Sequence, residues 1–160
     1  MFLWNLQKCL KVFDKVYVTS DDYGILKMSV LEGAEPIHRG KELCGDTPDI
    51  PVFQHAFSKM TDVDAIVAVH ANNPGIEQNL ITIIKKILEM GVPEVMTCYP
   101  MFRDNGYKSQ GNPINGSIRG MTKERLESYG DPYSPNPEVL VVDSSLEIET
   151  IDDYKLALKE

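Results

Sequence analysis

Basic clusters are missing from this chain. Sixteen lysines and arginines stand against twenty-four aspartates and glutamates, for a formal net charge of −8. No stretch gathers the cations that neutralise a phosphate backbone, so a nucleic-acid partner is excluded. Long apolar runs are missing too. None approaches the roughly 18 residues of a membrane span, which excludes a transmembrane protein. The segment Met1 to Leu10 has no basic start, no unbroken apolar stretch and no small-residue cleavage site, so it does not read as a leader. Cysteine is scarce and odd in number: Cys9, Cys44 and Cys98 lie far apart with no C-x-x-C pair. That pattern excludes a disulfide framework and a zinc site and fits a reducing cytoplasm. The sequon at Asn115 then has no secretory route to glycosylation. Nor does a Gly-Lys-Ser/Thr follow Asn115-Gly116-Ser117, so this is not a phosphate-cradling loop.

What is present suits one domain, residues 1–160, with enough apolar content for a core. Leu3, Leu6, Leu10 and Phe13 recur at helical spacing, with Asn5, Lys8 and Lys11 on other faces. Val16–Val18 reads as a short strand ending in the polar turn Thr19–Asp22. A helix over Ile25–Leu31 follows, then a strand over Ala34–His38 and a helix over residues 51–60. Ala65–Val69 is apolar on both faces, as a buried strand is. Ile76 to Leu88 is a long amphipathic helix closed by Gly91 and Pro93. Glu94–Tyr99, Asn115–Met121 and Val139–Val142 are further strands, with a short helix over Thr122–Tyr129. Residues 102–115 form an excursion, either a dimer arm or a substrate lid. Thr150 and Asp153 open a last helix as a capping box. Strands alternating with helices predict an α/β fold, a mostly parallel sheet with helices on both faces. Ligands then sit beyond the carboxyl ends of the strands, near Thr19–Asp22, Arg39 and His70–Asn73.

Several residues there are equipped for chemistry. Glu147-Ile148-Glu149 sets two carboxylates on one side of an extended segment, as a divalent metal requires; the alternative is a solvated edge before a capped helix. Arg39 can grip a phosphate with its fork of donors, or pair on the surface with Glu42 or Asp46. Asp46 and Thr47 are positioned to cap the next helix, which carries His55. His70 is a hydrogen-bonding group or a filler. Asn115-Gly116 is a turn dipeptide or part of a strand at a site.

The order Arg39, Glu42-Leu43, Asp46-Thr47 and His55, with Asn115-Gly-Ser-Ile118 and Glu147-Ile-Glu-Thr-x-x-Asp153 downstream, resembles the acylneuraminate and Kdo-type cytidylyltransferases. His70-Ala-Asn72-Asn73-Pro74 stands where that family has Gln-Pro-Thr-Ser-Pro, sharing only the last proline, and Arg119 stands where an aromatic is usual. The resemblance implies a nucleotide-diphospho-sugar transferase (Rossmann-like) fold. It also implies transfer of CMP from CTP to an acidic nonulosonic sugar with release of pyrophosphate, Mg²⁺ as cofactor and a homodimer. Arg39 would be catalytic, His70, Asn72 and Asn115 would bind substrate, and Glu147 and Glu149 would hold the metal. The family's nucleotide-holding loop lies upstream of these motifs, so the chain reads as N-terminally truncated. The alternative is a non-catalytic or truncated relative serving as a binding or dimerisation module.

Overall fold

The computed structural model describes residues 2–100, 114–132, 135–145, 147–148 and 150–157. Helix α1 (Phe2–Leu10) leads into strand β1 (Tyr17–Ser20). Asp22 caps helix α2 (Tyr23–Leu31), its carboxylate accepting from the Gly24 and Ile25 amides at 2.6 and 3.1 Å. Strand β2 (Glu35–His38) returns parallel to β1. Helix α3 (Asp49–Phe57), strand β3 (Ala65–Val69), helix α4 (Gln78–Glu89) and strand β4 (Glu94–Cys98) follow. Strand β5 (Ile114–Thr122), helix α5 (Lys123–Glu127), strand β6 (Val139–Val142) and helix α6 (Ile151–Ala157) complete the order.

Among the described residues the strands form a two-stranded sheet, β1-β2, and a four-stranded sheet in the order β3-β5-β4-β6. The α/β class stands, but the sheet is only partly parallel. β1 with β2 and β4 with β6 are parallel, whereas β5 runs antiparallel to both β3 and β4. A strand that turns back beside its predecessor satisfies its ladder as well as one carried over by a helix. Alternating hydrophobic patterns do not record that direction.

The alternation of β5 sorts the core onto two faces. Ile118 joins Ile76, Ile81, Ile84, Leu88 and Val95 under α4. Met121, from the opposite face, packs with Ile50 and Phe53 of α3 and Leu126 of α5. Helices therefore cover both faces of the four-stranded sheet. Gly120 makes the α4 side possible: a Cβ there would lie 2.8 Å from Val95, 2.9 Å from Ile84 and 2.9 Å from Leu88. Strand β4, flanked on both edges, is buried along its whole length.

One local expectation is corrected. Asp46 and Thr47 do not cap α3; the residue before that helix is Pro48, with no side-chain cap. The Thr47 hydroxyl instead donates back to the Glu42 and Cys44 carbonyls, both at 3.1 Å, and closes the preceding turn. Asn5 and Lys8, on the other faces of α1, bind the loop after β3. The Asn5 amide donates to the His70 and Asn73 carbonyls at 2.9 Å each, and the Lys8 ammonium donates to those of Pro74 and Ile76. The Thr150–Asp153 capping box forms as expected: the Thr150 amide donates to the Asp153 carboxylate at 2.7 Å, and the Asp153 amide donates to the Thr150 hydroxyl at 3.2 Å. Residues 102–113 of the expected excursion lie outside the described residues.

Candidate functional site

The carboxyl end of β3 is where the candidate residues meet. The His70 amide donates to the Ser117 carbonyl and carries the β3–β5 ladder one residue past the strand. Side chains alternate, so with Val69 against α4 the His70 ring turns to the α3 side. There its Nε2 lies 3.5 Å from Oδ2 of Asp49, in the first turn of α3. The hydrogen bond to Asp49 raises the pKa of His70, against the lowering effect of burial. The same bond lowers that of Asp49. Asn72, two residues on, donates from its side-chain amide to Glu147 at 2.8 Å, while its carbonyl receives the Ile148 amide at 2.8 Å. Glu147, distant in sequence, is thus brought to the His70–Asn72 segment; it also adds to the raised pKa of His70.

Asn115 sits beside this group on an irregular part of β5. Met96 pairs with Arg119 but Cys98 with Ile114, so β5 bulges between them, and Gly116 takes a φ of 65° that a side chain would resist. Asn115-Gly116 is therefore both strand and turn. Its bulge opens onto a cleft of about 320 Å³, lined by Thr47, Asp49, Met96, Asn115 and Arg119, with Pro132 and Pro135 at its border. Asn115 leans on Asp143, which sequence reading missed. This buried carboxylate follows β6 and accepts from the Ser117 hydroxyl, from the Ser145 amide at 2.9 Å and from the Asn115 amide at 3.5 Å. Its signal was an Asp-Ser-Ser at the carboxyl end of an apolar strand.

A second missed group lies below the cleft. Glu94, fully buried, accepts from Arg119 Nε at 3.0 Å and from Arg125 Nε at 2.8 Å. Both guanidinium groups lie over the ring of Tyr129, whose hydroxyl receives a further hydrogen bond from Arg119. The departure from an aromatic at position 119 is thus a buried ion network.

Arg39 is not brought to this site by any contact among the described residues. Its amide donates to the Ser20 carbonyl at 3.1 Å, and its Nε is buried without a partner. Among the described residues neither Glu42 nor Asp46 pairs with it. His55 is half-buried on α3, and its Nδ1 is buried without a hydrogen-bond partner among the described residues. Glu149 lies outside the described residues, so of the two expected metal carboxylates the site holds Glu147. Among the described residues no three His, Cys, Asp or Glu side chains stand close enough to hold a metal ion. Nor, among them, is any helix long and apolar enough to cross a membrane.

No protein-family model matches the chain, and no curated relative does. Solved structures do. A CMP:2-keto-3-deoxy-manno-octonic acid synthetase complexed with CTP superposes with a TM-score of 0.72, at 10% identity over 99% of this chain and 88% of that one. A 4-diphosphocytidyl-2C-methyl-D-erythritol synthase from Anaerococcus prevotii DSM 20548 gives 0.70 at 14% identity, covering 98% and 88%. Rv0371c of Mycobacterium tuberculosis H37Rv, in complex with manganese, gives 0.69 at 15% identity, covering 99% and 86%. At such identities the likeness is one of fold: this chain shares the α/β architecture of those structures.

Proposed function

We propose that this chain is a nucleotidyltransferase domain that uses CTP and transfers CMP to an acidic, sialic acid-like sugar. The observation that carries the reading is the convergence of His70, Asn72 and Glu147 at the end of β3, beside the Asn115 cleft. In the reaction the acceptor's hydroxyl oxygen bonds to the α-phosphorus of CTP. The bond from that phosphorus to the bridging oxygen breaks, pyrophosphate leaves, and the hydroxyl proton passes to a base. Such transfer asks the protein for positioning and electrostatics more than for covalent chemistry. His70, held by Asp49, and Asn115, held by Asp143, are preorganised hydrogen-bonding groups for the acceptor. Arg39, at the carboxyl end of the β1-β2 sheet, is the candidate cation for the triphosphate.

Glu147 would offer one ligand to Mg²⁺ or another divalent ion, which when bound neutralises phosphate charge. The described donors do not by themselves complete such a site, and no step is drawn through it. The test is a calorimetric titration of CTP with and without Mg²⁺, followed by product analysis with a panel of nonulosonic acids. Saturable CTP binding and a CMP-sugar product are expected; no product with any acid sinks the enzyme reading.

A second reading is a non-catalytic binding or dimerisation module. The engagement of Glu147 by the Asn72 amide favours it, since that carboxylate is already satisfied at one oxygen. Magnesium-dependent CTP binding that disappears in Glu147→Ala would exclude it. Gel filtration tests the homodimer that the resemblance implies.

A further inference from the structure

We infer that Arg119 is an anion-recognising group on the wall of the cleft, reading a carboxylate or phosphate on the ligand that enters beside Asn115. The inference deepens the proposed transfer reading and rests on it only for naming that ligand the acceptor. Arg119 lines the cleft although its side chain is 4% exposed. Its Nε and Nη2 donate to Glu94 and its Nη2 also to Tyr129, so the planar fork is locked in one orientation. Its remaining nitrogen, Nη1, has no hydrogen-bond partner among the described residues, and it is not one of the buried orphan atoms.

Charge points the same way. Two guanidinium groups, Arg119 and Arg125, share the single carboxylate of Glu94. Glu94 therefore balances only one of the two guanidinium charges; Arg119 is buried and Arg125 partly exposed, and beside a buried guanidinium an incoming anion is screened little. Asp49 lines the same cleft and would repel an anion, but its Oδ2 is engaged by His70 Nε2. A fixed guanidinium with a free edge is suited to carboxylate or phosphate oxygens, and a neutral ligand would leave that edge unpaired.

Galacturonate, galactose 6-phosphate and galactose form the probe set, titrated one by one into the full chain without nucleotide. The wild type is expected to bind at least one of the two anionic sugars about tenfold more tightly than galactose, the range of one hydrogen bond to a charged group. The arm that gains identifies carboxylate or phosphate as the anion read. Glu94→Gln combined with Arg119→Met removes the buried pair and leaves Arg125, the more exposed of the two cations, without its carboxylate; this double variant should lose the preference. Tyr129→Phe keeps the aromatic ring and removes one restraint on Arg119, so it should lose part of it. Equal binding of all three sugars, or a preference that survives in a folded double variant, overturns the inference. CTP titration of the wild type is read separately. A chain that prefers the anions yet binds no CTP would refute nucleotidyl transfer and still support the Arg119 site.

Discussion

Asp49 and His70 each change how the other titrates, and their effect on stability has a definite window. His70, raised, contributes stability that is full below its unfolded pKa and is lost as pH rises through its higher folded value. Asp49, lowered, contributes stability present above its unfolded pKa and lost as pH falls through its lower folded value. The pair therefore holds α3 to the end of β3 best from mildly acidic pH up to the raised pKa of His70. In Asp49→Asn the titration midpoint of His70, followed by NMR of its ring protons, should drop toward that of an ordinary histidine. An unchanged midpoint would mean that the pair does not form in solution. Glu94 poses a different case, because it is fully buried between two guanidinium groups. Glu94→Ala leaves the Arg119 charge buried without its main partner, and such losses cost about 3–5 kcal/mol. Denaturant unfolding should show that cost, and the double variant Glu94→Gln/Arg119→Met should be more stable than the sum of its single changes implies.

Strand β5 positions the site, and α4 positions β5. Gly120 lets the two approach, with three side chains waiting within 2.9 Å of where a Cβ would be. Gly120→Ala should overpack that contact and cost about 1–3 kcal/mol, read as a fall in melting temperature; an unchanged melting temperature would show the helix free to move. Helix α1 plays the matching part for the 70–76 loop. Asn5→Ala would leave the carbonyls of His70 and Asn73 without their donor, a loss of about 1–3 kcal/mol if they stay buried. These elements were largely legible in the sequence, because period-two and period-3.6 patterns directly record which face is buried. Their partners were less so. Asn5 and Lys8 are polar residues on an amphipathic helix, and composition cannot distinguish solvent from a neighbouring loop's carbonyls. Thr47 had the right chemistry for a cap, yet carbonyls behind it captured its hydroxyl. Asp143 carried only the weak signal of its place after an apolar strand, and Glu94 none, because each becomes a hub only through strands far apart in sequence.

Across the molecule, the candidate site draws on the four-stranded sheet, while Arg39 belongs to the smaller sheet. The motif resemblance implied one site for Arg39, His70, Asn72, Asn115 and Glu147; among the described residues Asn72 meets Glu147, and His70 meets Asp49, which lines the cleft with Asn115, partnerships that are tertiary and that spacing does not encode. The two sheets also differ in how they are held. β4 is paired on both edges and buried throughout, whereas β1 and β2 pair only with each other among the described residues. In the smaller unit Ser20, Leu26, Ser29, Ala34 and Ile37 are buried, while Tyr23, Met28, Val30 and Leu31 of α2 are exposed. A two-stranded sheet under one helix is marginal alone, and units with little buried apolar surface open at lower free energy than the global transition. Amide hydrogen exchange should therefore show residues 17–38 opening well before β4 and β5, whose amides exchange only through global unfolding. If CTP binding requires Arg39, saturating nucleotide should slow exchange selectively in β1 and β2, by closing the smaller unit onto the larger. Equal protection of the two sheets without ligand would show that contacts other than strand pairing join them, and that Arg39 is already fixed in place.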